Sequence, residues 1–158
     1  MKKISVLFIA TMFLFGCADS NANDSNDSNG LKWYINVEKA VEIAKKEDKL
    51  VLVQFSGSDW CKWCIKLNDE VFNKKDFADY AKDKMVLVNL DFPSTIAQTD
   101  EVKEYNRSMA TKYGVRGFPT VLLLDKEGNL VKVTGYQPGG PNAYVEHIKE
   151  SYNPKGSI

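Results

Sequence analysis

Ser56-Gly57-Ser58-Asp59-Trp60-Cys61-Lys62-Trp63-Cys64 sets two cysteines two residues apart, between a strand-like run and a helix-like run. The run before it, Lys49-Leu50-Val51-Leu52-Val53-Gln54-Phe55, is apolar and β-branched enough for a buried strand. The run after it, Ile65 to Phe72, places Ile65, Leu67, Val71 and Phe72 in a roughly helical pattern. The cysteines therefore fall on a strand-to-helix turn, with Cys61 at the helix N-terminus and Cys64 one turn inside. Two cysteines so placed can close a small disulfide and open it again. Unpaired backbone N–H groups and the positive end of the helix dipole stabilise a thiolate at Cys61, and Lys62 beside it adds a positive charge. Thiols of Cys-X-X-Cys pairs in such places ionise at about 3.5–7.5. The thiolate is the attacking species in disulfide exchange, so the expected chemistry is redox.

The chain has 158 residues, enough for one domain around one core. Its 21 basic and 21 acidic residues balance, and without a basic run there is no electrostatic footprint for nucleic acid. Three cysteines, Cys17, Cys61 and Cys64, are too few for a disulfide-stapled scaffold. A closed zinc site needs four ligands. No second Cys-X-X-Cys exists, and the one histidine, His147, lies in the last predicted helix, so no metal is expected. A purely structural disulfide is the plain alternative reading of the pair.

Met1-Lys2-Lys3 followed by the apolar run Ile4–Phe15 has the form of an export signal, too short to span a bilayer, which takes about 20 apolar residues. Its end, Leu14-Phe15-Gly16-Cys17, resembles the bacterial lipoprotein signal, in which a small residue precedes a cysteine that is lipidated and becomes the mature N-terminus. The resemblance implies a signal over 1–16, acyl chains on Cys17 and an exported protein held on a bacterial membrane, at the periplasmic face or cell surface. An uncleaved apolar anchor, or a secretory signal that leaves Cys17 a stray thiol, is the competing reading. Ala18–Gly30 is nearly all Asn, Asp and Ser. It offers no apolar area to bury, so residues 17–30 are expected to be a disordered tether, with the folded domain over 31–158.

From Leu31 the composition turns globular. Trp33 and Tyr34 suit a short lead-in, and Asn36 an N-cap for a helix over Val37–Lys46 with Ala40, Val41 and Ala44 inward. Strands are expected at Leu50–Phe55, Met85–Leu90, Thr120–Leu124 and Leu130–Thr134, the last two joined by the turn Asp125–Asn129. Helices are expected from Cys61, over Lys75–Lys82, from Thr99 or Asp100 to Tyr113 with Gly114 closing it, and over Pro141–Ser151. That order predicts a three-layer α/β/α sandwich with a central mixed β-sheet.

The element order, the Trp60-Cys61-Lys62-Trp63-Cys64 turn and Tyr113-Gly114-Val115-Arg116-Gly117-Phe118-Pro119-Thr120 together resemble the thioredoxin superfamily, over about Leu31 to Tyr152. Lys66-Leu67 and Glu70-Val71-Phe72 after the second cysteine are most similar to its secreted bacterial members. The resemblance implies a thioredoxin fold. It also implies a thiol–disulfide oxidoreductase in which Cys61 attacks a substrate disulfide and Cys64 resolves the mixed disulfide, with no cofactor beyond that pair. Pro119 matches the family's cis-proline, which leaves the backbone of Phe118 free to pair with an extended substrate; a trans proline opening a strand is the other reading. Trp60 matches the tryptophan that shields the cysteines. Trp63 falls on the rim, as a peptide contact or as ordinary partial burial. Gln54 stands where relatives carry a buried acid, so the proton leaving Cys64 must go to Asp59, Lys62 or water; Asp59 is equally a turn-former.

The partners implied are protein or peptide thiols and disulfides and, for net reduction in an oxidising compartment, a membrane electron donor. Overall similarity favours reduction of protein disulfides. An oxidase or isomerase, and a non-catalytic module binding a soft metal or a peptide, are the alternatives.

Overall fold

A computed structural model describes residues 24–152 of the chain. In chain order it contains β1 (Ser25–Asn26), β2 (Lys32–Tyr34), α1 (Val37–Glu47), β3 (Leu50–Ser56), α2 (Lys62–Leu67), a π-helical turn over Asn68–Phe72, α3 (Lys75–Lys84), β4 (Met85–Asp91), α4 (Asp100–Lys112), β5 (Thr120–Leu124), β6 (Leu130–Thr134) and α5 (Gly140–Tyr152). The strands form one mixed sheet in the order β1-β2-β4-β3-β5-β6. The central β3 runs parallel to β4 and antiparallel to β5.

All seven residues of β3 are buried, which is why its sequence is almost unbroken in apolarity rather than alternating. Its side chains still divide by face with the two-residue period of a strand. Leu50 and Leu52 join Leu67, Val71, Phe72, Phe77, Tyr144 and Ile148 on one side. Val51, Val53 and Phe55 join Val37, Ala40, Ala44 and Met109 on the other. Helices α2, α3 and α5 thus cover one face, and α1 and α4 the other, as the three-layer expectation requires. By the same alternation Gln54 and Ser56 fall on the α2 face.

Local chemistry fixes the ends of these elements. Asn36 Oδ1 accepts from Lys39 N at 2.6 Å and starts α1, a cap worth about 0.5–2 kcal/mol. Thr99 does the same for α4. Gly114 follows α4 with φ +64°, a left-handed conformation that a residue with a Cβ adopts only under strain.

The lead-in expected at Trp33 and Tyr34 is part of β2, parallel to β4, with Trp33 buried in the core. Three expectations need correction. The helix after Cys61 is not one regular run: it widens into the π turn at Asn68, which lets the adjacent Val71 and Phe72 both face the core. Ile65 is exposed rather than inward. The expected tether is not wholly separate either. Ser25–Asn26 pair with Lys32–Trp33, and Asp27 Oδ1 accepts from Asn29 N and Leu31 N while its Oδ2 accepts from the Trp33 indole. Polar residues join the domain here through hydrogen bonds, which hydropathy does not register. The expected signal over 1–16, Cys17 and the tether up to Asn23 lie outside the described residues. Among those described, no helix is long and apolar enough to cross a membrane.

Candidate active site

The cysteine turn begins where β3 ends. Gly57 O accepts from Cys61 N at 2.8 Å and Trp60 N at 3.3 Å, closing a tight loop. A Cβ on Gly57 would lie 2.5–2.7 Å from the Trp60 indole, so only glycine lets that ring fold back over the turn. Cys61 is the N-cap of α2, and its Sγ accepts from Cys64 N at 3.2 Å. A sulfur therefore occupies the place that a serine or aspartate oxygen ordinarily fills. An N–H aimed at that sulfur, with the helix dipole behind it, favours a negative charge there. The two sulfurs are joined in a disulfide. Cys61 keeps 5% of its surface exposed and Cys64 none, so an incoming group can reach only the first.

Three consecutive residues stitch this turn to the last residue of β4 and the segment after it. Ser58 N and Oγ donate to Asp91 at 2.9 and 2.6 Å. Asp59 accepts from Ser94 N at 2.8 Å and from Thr95 N and Oγ1 at 2.6 Å. Trp60 Nε1 donates to Phe92 O at 2.8 Å. The hydrogen bonds from Thr95 and Ser94 hold the Asp59 carboxyl down at about 2. It serves as a clasp and is too acidic to collect a proton at neutral pH.

Aromatic rings flank the disulfide. The Phe118–Pro119 peptide is cis. The Phe118 ring packs on Trp60 (5.9 Å between centroids) and on Phe92 (5.0 Å). After Cys61, Trp63 rests on Tyr136 at 5.2 Å, with Lys66 Nζ 5.2 Å from each ring and Glu70 accepting from the Tyr136 hydroxyl at 2.6 Å. Trp60 and Trp63 remain 50% and 56% exposed, and Lys62 is exposed beside them. Sequence reasoning missed Phe92 and Tyr136. Phe92 lies two residues past a predicted strand and precedes a proline, a weak signal that it borders the site; nothing marks Tyr136.

The profile of the thioredoxin-like domain family matches residues 37–149. The chain belongs to the thioredoxin-like family. It is 36% identical over 121 residues to the disulfide bond reductase DsbH of Chlamydia pneumoniae, covering 77% of this chain and 72% of that protein. It is 27% identical over 128 residues to the thioredoxin-related protein DsbJ of the same organism, covering 80% of this chain but only 36% of DsbJ. A solved structure titled DsbH oxidoreductase superposes with a TM-score of 0.74 at 33% identity, covering 83% of this chain and 88% of that one. The protein is thus a thiol–disulfide oxidoreductase of the thioredoxin superfamily.

Within this thioredoxin-like domain the sheet face under α2 is polar at its cysteine end, with Gln54 and Ser56 of β3 paired in register with Asn89 and Asp91 of β4. Gln54 is buried, and its Nε2 donates to Asn68 Oδ1 at 3.0 Å. Ser56 Oγ and Asn89 Oδ1 are buried with no partner among the described residues. His147, in α5 as the sequence places it, bridges α5 and β6: its Nε2 lies 2.9 Å from Thr134 Oγ1 and its Nδ1 3.4 Å from Lys132 Nζ. Burial first, then the Lys132 charge, pushes it below the usual imidazole range. Among the described residues no group of three or more His, Cys, Asp or Glu side chains could hold a metal ion.

Proposed function

We propose that this protein reduces disulfides in exported proteins from a lipid anchor on the outer side of a bacterial membrane. The observation that carries the chemistry is the asymmetry of the pair, with Cys61 Sγ at the α2 N-cap and within reach, and Cys64 sealed beneath it. The Cys61 thiolate attacks one sulfur of a substrate disulfide. That bond breaks, the other substrate sulfur leaves as a thiolate and takes a proton from water, and a Cys61–substrate mixed disulfide remains. Cys64 then loses its proton and attacks Cys61 Sγ, which closes the Cys61–Cys64 disulfide and expels the second substrate thiolate. Two electrons have passed to the substrate. A membrane-borne dithiol donor must return them before the next cycle.

Exposed Trp60, Trp63 and Lys62, with Phe118 before Pro119, surround the reacting sulfur and suit an extended peptide passing over it. The reductive direction draws support from the relative named as a disulfide bond reductase. The anchor draws support from Leu14-Phe15-Gly16-Cys17.

Replacing Cys64 with serine stops the second step. Cys64→Ser expressed in the native host should accumulate mixed disulfides through Cys61, and their partners are the substrates; a variant that traps nothing contradicts the mechanism. Equilibration with glutathione mixtures decides direction. A potential well below that of the glutathione pool is expected, and one well above it ends the reductase reading.

A further inference from the structure

Gln54 Nε2 reaches Asn68 Oδ1 at 3.0 Å, which fixes how β3 lies under the cysteine helix. Strand β3 runs toward the cysteine turn and α2 runs away from it, so their directions oppose. Two residues further along β3, about 6–7 Å at the rise of a strand, stands Ser56. Four residues back along α2, about 6 Å at the rise of a helix, stands Cys64, whose carbonyl accepts the Asn68 N–H. The two steps match, so counted from the Gln54–Asn68 contact Ser56 falls level with Cys64, although its hydroxyl makes no hydrogen bond to the disulfide sulfur. Both are buried. In the disulfide state the Ser56 hydroxyl has no hydrogen-bond partner among the described residues. A buried hydroxyl left unpaired is destabilising, and its presence calls for a reason.

The reason lies in the other half of the cycle. When the disulfide is open, Cys64 must become a thiolate in a place that water does not reach, and a buried anion is costly without a donor. The polar residues that share this face of the sheet are Gln54 and Ser56 from β3 and, in register with them, Asn89 and Asp91 from β4, with Asn68 of the π turn bonded to Gln54. Asp91 is the one carboxylate among them, and Ser58 binds both its oxygens. Gln54 gives one of its two amide N–H donors to Asn68 and is held by that bond. From this arrangement we infer that Ser56 is a positioning residue for Cys64, its hydroxyl donating to the Cys64 thiolate when the pair is reduced and losing that partner when the disulfide closes. The inference deepens the proposed function and rests on Cys64 being the resolving thiol.

The reduced full chain carrying Cys17→Ala, with and without Ser56→Ala, is mixed with dithiobis(nitrobenzoate) and followed by stopped-flow absorbance across pH. Attack by Cys61 releases one nitrothiobenzoate and leaves the other half on Cys61; attack by Cys64 on Cys61 releases the second. Ser56→Ala should leave the first release unchanged and slow the second about ten- to a hundredfold at neutral pH. It should also raise the pH midpoint of the second release by about one to two units, the loss of one hydrogen bond to a charged group. The melting temperature of its disulfide form should stay level or rise, because a hydroxyl unpaired in that state has been removed. A second release with unchanged rate and pH profile overturns the inference. So does a variant in which both releases slow together as the melting temperature falls, which makes Ser56 structural. If the parent's first release is no faster than that of a free cysteine, the proposed function itself fails.

Discussion

Asp59 shows how one side chain ties a reactive loop to its neighbouring segment. Three donors converge on its carboxylate, and they hold its pKa at about 2, below the ordinary aspartate value of about 3.9. A folded-state pKa depressed in this way adds stability that is complete above the unfolded value and disappears as pH falls from about 4 toward 2. Asp59→Asn removes the charge and one acceptor oxygen, leaving the Ser94 and Thr95 amides poorly satisfied. The expected outcome is faster hydrogen exchange at those two amides at neutral pH, with protection in β3 retained. Protection at Ser94 and Thr95 equal to that of the parent would show that the clasp contributes nothing. The same variant should show a flatter dependence of stability on pH between about 4 and 2.

At the scale of elements, much of the fold can be read in the sequence where one residue pattern answers one physical demand. The seven-residue β3 is apolar because both faces are covered, and Asn36 announces α1 because few side chains satisfy a helix N-terminus. Strand β2 left no periodic trace: it has three residues, too few for an alternation to register. The π turn is equally silent, since one extra residue in a helix leaves the apolar spacing around Leu67, Val71 and Phe72 intelligible as an ordinary helix. Cys61, Cys64 and Pro119 were marked by local motif, whereas Phe92 and Tyr136 reach the site only through long-range packing that no local signal encodes. The π turn has a measurable consequence. It delivers Phe72 against Trp33, Phe77 and Tyr144 at centroid distances of 5.6, 4.9 and 5.6 Å. Phe72→Ala should therefore destabilise the domain by about 3–5 kcal/mol, measured by urea unfolding. A loss below about 1 kcal/mol would mean that the aromatic cluster repacks and does not depend on the turn.

Taken whole, the molecule joins a three-layer domain to an N-terminal segment with the form of an export and lipidation signal. Two acyl chains would hold it stably on a membrane where one would be marginal. Cys17→Ala should move the protein from the membrane fraction to the soluble fraction of its host while leaving the folded domain and its disulfide exchange intact. Retention in the membrane fraction would contradict the anchor.

The central claim concerns a single sulfur at the open end of α2, and its reactivity can be followed directly. In the full chain carrying Cys17→Ala and Cys64→Ser, Cys61 is the one thiol, and its alkylation by iodoacetamide can be timed across pH. The account predicts rapid reaction that already levels off near neutral pH, where an unstructured cysteine peptide, ionising at about 8.5, is still accelerating. A Cys61 rate that tracks the peptide at every pH would contradict it.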